Sequence, residues 1–132
     1  MINIIVMGHG GYAQGVKNNL SMLLGEPKNM YFLDLMRDDS LGDLENKMNS
    51  LISELGESDI LFVCDLLGAS PFRLAAIYSA TNPEKAITVT GLNTMAFLEL
   101  GMSMDLNLFD LADRVIETTK ASVSKFPDPT HA

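Results

Sequence analysis

Short apolar runs alternate along the chain with segments in which apolar residues recur at the spacing of a helix. Four such runs, at residues 2–7, 30–33, 60–64 and 86–90, are rich in β-branched and aromatic residues. Runs without a regular alternation of apolar and polar residues are typical of strands covered on both faces of a parallel sheet. The pattern therefore predicts four strands separated by helices.

Apolar residues three and four positions apart predict the intervening helices. The period is clearest over residues 41–55, which Asp38, Asp39 and Ser40 precede as a cap. The third helix is expected to use Ser70 as its N-cap, with Pro71 at the first helical position. That third helix is expected over residues 72–80, and the other helices over residues 13–24, 94–102 and 105–121.

Strands that alternate with helices predict an α/β domain, a three-layer sandwich whose four-stranded parallel sheet has the order 2-1-3-4 and carries helices on both faces. We expect a single domain over residues 1–126 and a frayed, disordered tail over residues 127–132. Functional groups in such sheets gather beyond the carboxyl ends of the strands. The segments to inspect are residues 8–15, 34–40, 65–70 and 91–94.

Composition narrows the classes of function. The 132 residues have a formal net charge of −8, which argues against binding to nucleic acid or to anionic lipid surfaces. The single cysteine, Cys64, excludes an internal disulfide, so a reducing compartment, by default the cytoplasm, is expected. No apolar run approaches the ~20 residues of a membrane span. No cluster of metal ligands is visible, and we expect neither a metal nor a cofactor.

His9 and Asp65 are the strongest candidates for chemistry. His9 follows the first strand and lies between glycines, so its ring should be accessible. A neutral imidazole is a nucleophile near pH 7. Asp65 ends the third strand, which the order 2-1-3-4 makes a neighbour of the first. A carboxylate there would fix the tautomer of the ring and stabilise its developing positive charge; the alternative is a carboxylate that only caps a loop.

The start of the third helix is a candidate anion site. Unpaired amides and the positive end of the helix dipole bind anions, so Ser70 and this terminus would hold a phosphoryl group near His9. Without a functional His9, Ser70 and Pro71 would indicate only the start of a helix.

A dinucleotide-binding module is the competing hypothesis. Residues 8–13 satisfy the loose G-x-G-x-x-G/A pattern after a strand, and Asp34 ends the second strand at a distance suited to a ribose hydroxyl. A lone match of this kind is weak, and 132 residues leave no separate substrate domain for a dehydrogenase.

Four ordered motifs carry a resemblance that covers essentially the whole chain. They are residues 4–15, 23–26, 64–72 and 91–93. Together they resemble the IIA component of the mannose, fructose and sorbose family of the bacterial phosphoenolpyruvate-dependent sugar phosphotransferase system (PTS). The resemblance implies a phosphotransferase in which His9 accepts a phosphoryl group from the phosphocarrier protein HPr and passes it to a IIB (EIIB) component during sugar uptake.

The resemblance also implies residue roles and an assembly. Asp65 would pair with the imidazole, and Ser70, Gly68, Leu67 and Gly10 would contact the phosphoryl group. A short antiparallel strand over residues 121–126 would be exchanged across a homodimer. Arg73 and Met95 depart from the asparagine and proline that are common in the family, which bears on partner contacts. A purely regulatory domain, phosphorylated without onward transfer, remains a third hypothesis.

Overall fold

The computed structural model describes residues 1–131 and alternates strands with helices as the sequence predicts. The strands are β1 Ile2–His9, β2 Met30–Leu35, β3 Asp59–Cys64 and β4 Ala86–Thr90. The helices are α1 Tyr12–Leu24, α2 Leu41–Leu55, α3 Ser70–Thr81, α4 Thr94–Gly101 and α5 Leu108–Ser122.

All four strands are parallel and form one sheet of order β2-β1-β3-β4. The predicted α/β class and strand order are therefore confirmed. β1 lies between β2 and β3, with Ile4 in register with Met30 on one side and Leu61 on the other. Loops that follow β1, β2 and β3 consequently meet at one edge of the sheet.

Each face of the sheet has its own apolar core, which explains why the strands lack a polar alternation. Ile4 and Val6 belong to a buried cluster that includes residues of α1, α4 and α5. Ile5 and Met7 belong to a second cluster that includes residues of α2 and α3. Both faces of β1 must therefore be apolar, and the three-layer arrangement follows.

The side chain of the N-cap residue caps three helices, α2, α4 and α5. Ser40, the last of the three residues predicted to cap α2, is its N-cap and forms a capping box with Asp43, in which each side chain pairs with the other residue's backbone N–H. α5 begins at Leu108 and not at residue 105, because the Asn107 side chain accepts a hydrogen bond from Asp110 N–H at 2.9 Å. The asparagine cap ends the preceding loop three residues later than the apolar period indicates.

The end of α5 lies close to the carboxyl edge of the sheet. Asn93, in the loop after β4, donates through Nδ2 to Ser122 Oγ at 2.8 Å, and its own backbone N–H donates to Thr119 Oγ1 at 3.3 Å. α5 includes residues 121 and 122, so the predicted start of the exchanged strand is wrong, and residues 123–126 lie in no strand of the single chain.

Pro129–His131 form a single 3-10 turn. The domain limits of 1–126 and the disorder of residues 127–132 stay predictions, and Ala132 lies outside the described residues.

Candidate functional site

His9 is the last residue of β1 and lies at the carboxyl edge of the sheet. Gly8 and His9 pair in register with Asp34 and Leu35 of β2, and the next amide, of Gly10, still donates to the Leu35 carbonyl at 2.9 Å. The strand therefore continues through two residues that the glycine pattern places in a turn. The His9 side chain is 43% exposed, as its glycine neighbours predict, and it projects from a regular strand.

One oxygen of Asp65 makes both contacts with His9. Asp65 Oδ2 accepts a hydrogen bond from the His9 backbone N–H at 2.9 Å and lies 2.8 Å from the ring Nδ1. This contact assigns the Nδ1–H tautomer to the neutral ring. Nε2 then keeps its lone pair and has no hydrogen-bond partner within residues 1–131. The two side chains that the sequence predicts as neighbours are thus brought together from positions 56 apart.

The other oxygen of Asp65 is enclosed by protein. Oδ1 is buried without a hydrogen-bond partner, the one side-chain atom of that kind among residues 1–130. An unpaired buried polar atom costs about 1–3 kcal/mol of stability. This cost falls on the residue that contacts His9, and a buried group of this kind calls for a specific explanation.

The loop after β3 presents backbone amides next to this pair. A turn closes where Ala69 N–H donates to the Leu66 carbonyl at 3.2 Å, and Gly68 has φ +82°, in the left-handed region that favours glycine. The amides of Leu67 and Gly68 have no acceptor in the part of the chain that the structure describes. Two of the predicted phosphoryl-binding residues therefore offer unpaired donors.

The prediction that Ser70 is the N-cap of α3 is wrong. Ala69 is the N-cap and has no side-chain acceptor, Ser70 is the first helical residue and Pro71 the second. The helix begins earlier than expected because the Ala69 carbonyl already accepts from Arg73 N–H at 2.9 Å. The Ser70 hydroxyl is thereby not engaged in capping and lies at the positive end of the helix dipole.

A shallow groove of about 410 Å³ opens beside the ring. Its polar lining includes a cation, Arg37, which our sequence candidates missed although it falls in the expected segment 34–40. Gly10, with φ +59°, also lines the groove, but its amide is donated to Leu35 and is not free to hold a phosphoryl group. The lining residues are His9, Gly10, Leu35, Met36, Arg37 and Asp39.

The ring of Tyr12 explains the glycine before His9. A Cβ atom at Gly8 would lie 2.4 Å from Cδ2 and 2.8 Å from Cβ of Tyr12, closer than side-chain packing allows. Burial, followed by the negative charge of Asp65, raises the pKa of Tyr12 to about 12. The phenol therefore stays protonated and uncharged near pH 7.

Asp34 caps α1 from the neighbouring strand. Its Oδ1 accepts from Ala13 N–H at 2.9 Å and its Oδ2 from Gln14 N–H at 3.1 Å, whereas the N-cap residue Gly11 has no side-chain acceptor. A dinucleotide pyrophosphate would need this helix terminus, and the carboxylate would repel it. The dinucleotide hypothesis for residues 8–15 is not supported, and Asp34 binds helix amides in place of a ribose.

Cys64 belongs to the core, as predicted. Its side chain is buried, and burial, then the charge of Asp65, raises the pKa of the thiol to about 12. The thiol is therefore neutral and a poor nucleophile at physiological pH. Over residues 1–131 no three His, Cys, Asp or Glu side chains are grouped as metal ligands, and none of the helices there is long and apolar enough to cross a membrane.

Comparison with known proteins identifies the family to which the chain belongs. Residues 3–116 match the EIIA-man family, described as PTS system fructose IIA component. The chain belongs to the EIIA-man family. It is therefore a component of a sugar phosphotransferase system, and the matched range contains the His9–Asp65 pair and the loop that follows it.

Two relatives show how far the EIIA-man likeness extends. The chain is 26% identical over 117 residues to the PTS system fructose-specific EIIA component of Bacillus subtilis, covering 87% of this chain and 80% of the relative. It is 30% identical over 105 residues to the PTS system mannose-specific EIIAB component of Escherichia coli K12, covering 79% of this chain and 32% of the relative. The alignment thus spans about a third of the second relative.

Solved structures show the same EIIA-man fold over nearly the whole chain. The mannose/sorbose specific IIA subunit from Enterococcus faecalis superposes with a TM-score of 0.87 at 25% identity, covering 96% of each chain. The EIIA component from Streptococcus agalactiae gives a TM-score of 0.86 at 26% identity, covering 96% of this chain and 98% of that one.

Proposed function

We propose that the chain is a phosphohistidine carrier, in which His9 accepts a phosphoryl group from HPr and passes it to a IIB component during sugar uptake. The observation that carries this proposal is the double contact of Asp65 Oδ2 with the backbone N–H and ring Nδ1 of His9. A ring that is fixed through Nδ1 directs Nε2 at a visiting protein, and the 43% exposure of the His9 side chain leaves room for one.

The chemistry needs only groups that the site contains. The Nε2 lone pair of His9 attacks the phosphorus of the phosphoryl group that HPr carries. The bond from phosphorus to the donor atom of HPr breaks, and its electron pair stays on that atom as the Nε2–P bond forms. The ring gains positive charge, which Asp65 stabilises through Nδ1–H. Transfer to a IIB component repeats these steps with His9 as the leaving group, so no metal is required.

The phosphoryl group would occupy the loop that follows Asp65. The unpaired amides of Leu67 and Gly68 and the hydroxyl of Ser70 are donors at the start of α3, where the helix dipole favours an anion. Gly10 would contribute surface to the same site, since its amide is already paired. An exposed loop of this kind suits a carrier that must release what it accepts.

The proposal includes a single EIIA domain over residues 1–126 that works in the cytoplasm as a homodimer. Val123 and Phe126 are 73% and 98% exposed in the single chain, which supports burial of residues 123–126 against a second copy. A chain ended at Ser122 is expected to sediment as a monomer while the full chain sediments as a dimer. A shortened chain that stays dimeric would remove the strand exchange from the proposal.

Radiolabelled phosphoenolpyruvate, enzyme I and HPr test the carrier proposal. We expect one acid-labile phosphoryl group per chain, abolished by His9→Ala and retained by His131→Ala, the substitution of the only other histidine. Addition of the IIB component of the same transporter should then remove the label. Absence of label at His9 would refute the carrier, and label that no IIB component removes would favour the regulatory hypothesis.

A further inference from the structure

Two arginines lie on opposite sides of His9. Arg37 follows β2 by two residues, and Arg73 lies in the first turn of α3, after β3. Because β1 lies between β2 and β3, the end of β1 that carries His9 is flanked by both segments. On one side of His9 lies Leu35, its register partner in β2, which precedes Arg37 by two residues. On the other side lies Asp65, which contacts the ring and precedes α3 and Arg73.

Arg73 is tied to the loop that holds the unpaired amides. Its Nε donates to the Gly68 carbonyl at 2.9 Å, and the residue lies three positions after Ser70, on the same side of the first turn of α3. The bond fixes the carbonyl of a glycine in the left-handed region. The terminal guanidinium nitrogens have no partner within the described residues, so they remain available next to the loop.

Arg37 occupies the groove beside the imidazole. It is exposed, lines the groove with His9 and has no carboxylate partner among residues 1–131. The cations that do contact a carboxylate are Lys47, Lys85, Arg114 and Lys120.

We propose that Arg37 and Arg73 bind the phosphoryl group on His9 from its two sides. The inference rests on the proposed carrier function and assigns this chain two binding residues beyond the His9–Asp65 pair. A planar guanidinium presents parallel N–H donors that match two oxygens of a phosphoryl dianion. Both residues are exposed, so each would contribute a modest and reversible stabilisation. Arg73 also positions the amides of the loop through its bond to Gly68.

A small-molecule phosphoryl donor distinguishes an effect on binding of the phosphoryl group from an effect on docking of HPr. Phosphoramidate transfers its phosphoryl group to a histidine nitrogen: an N–P bond forms, the bond to the amino group breaks, and ammonia leaves. We would measure the loading rate of wild type, Arg37→Gln, Arg73→Gln and the two Arg→Lys variants with phosphoramidate and, separately, with HPr. Lys28→Gln is the matched control, because it removes one charge just before β2, at the opposite edge of the sheet.

Each Arg→Gln variant should be loaded by phosphoramidate about three- to tenfold more slowly than wild type, and each Arg→Lys variant should recover part of the rate. In ³¹P NMR titrations of the loaded proteins, the pKa of the phosphoryl group should rise when either arginine is removed, because a neighbouring cation favours the dianion. Lys28→Gln should match wild type in both measurements.

Three other results would overturn the inference. If the Gln variants equal wild type in loading and titration, the arginines do not bind the phosphoryl group. If they are slow only with HPr, they contact the donor protein, and the carrier proposal survives without this site. If neither donor loads wild type, the carrier function itself fails and this inference fails with it. Arg37→Gln keeps the test valid if Arg73→Gln disturbs the loop, since Arg37 makes no side-chain bond within residues 1–131.

Discussion

Replacement of Asp65 by asparagine is the most direct test of the site. The amide has nearly the shape of the carboxylate and can still accept from the His9 backbone N–H, so the sheet and its core should remain intact. It lacks the negative charge that faces Nδ1 at 2.8 Å. We therefore expect Asp65→Asn to fold normally and to be phosphorylated slowly by HPr.

The size of the effect follows from the two contacts of Oδ2. A hydrogen bond to a charged group contributes about 1.5–3 kcal/mol, and only the ring contact strengthens as the imidazole becomes positive. Loss of that contribution in the transition state corresponds to a rate reduction of about 10- to 150-fold, at 1.4 kcal/mol per factor of ten. Asp65 is only 15% exposed, so solvent should screen little of the charge.

The assay is the initial rate of label transfer from phosphorylated HPr, with circular dichroism and urea unfolding as checks of the fold. Asp59→Asn is the matched control, because Asp59 begins the strand whose carboxyl end leads into Asp65 and lies at the opposite edge of the sheet. A folded Asp65→Asn protein with a rate within about twofold of wild type would refute the orienting role, since a twofold change corresponds to only ~0.4 kcal/mol in the barrier.

Three further predictions concern the frame of the site. Gly8→Ala should lower the free energy of unfolding by about 1–3 kcal/mol in urea titrations, because the new Cβ would overlap Tyr12; an unchanged midpoint would contradict this packing. Ser40→Ala should cost about 1 kcal/mol in the same assay through loss of the capping box with Asp43, and a cost near zero would show that the box is unimportant. Cys64 should react with an aromatic disulfide reagent at pH 8 only after unfolding, because burial raises its pKa to about 12; rapid reaction of the native protein would show that the strand opens.

The sequence predicts the fold because its strands are covered on both faces. A continuous apolar run such as residues 60–64 predicts a strand that is covered on both faces. The start of α2 is marked by the polar residues that precede it, and Ser40 forms its capping box. The strand order follows from the same pattern together with the resemblance. What the sequence alone misplaces are boundaries at which long-range pairing decides, such as the continuation of β1 through His9 opposite Leu35.

The site is predictable in part. His9 and Asp65 can be paired from their places at the ends of adjacent strands, and the loop after Asp65 from its glycine. The capping of α1 by Asp34 cannot be predicted in this way, because the carboxylate is 20 and 21 residues from the two amides and no local motif joins them. The proximity of Arg37 to His9 is unpredictable for a similar reason, because only the register of β2 against β1 brings this residue to the groove beside the ring.

The direction of β1 has a practical consequence for labelled forms of the protein. The strand runs from Ile2 to His9 without a break, a span of about 23 Å at ~3.3 Å per residue. A fluorophore or affinity tag joined to Met1 would thus lie at the amino edge of the sheet, opposite the edge that carries the imidazole. One joined after α5 would emerge near Asn93, at the edge of the sheet that carries His9, and would compete for space with the partner proteins proposed above.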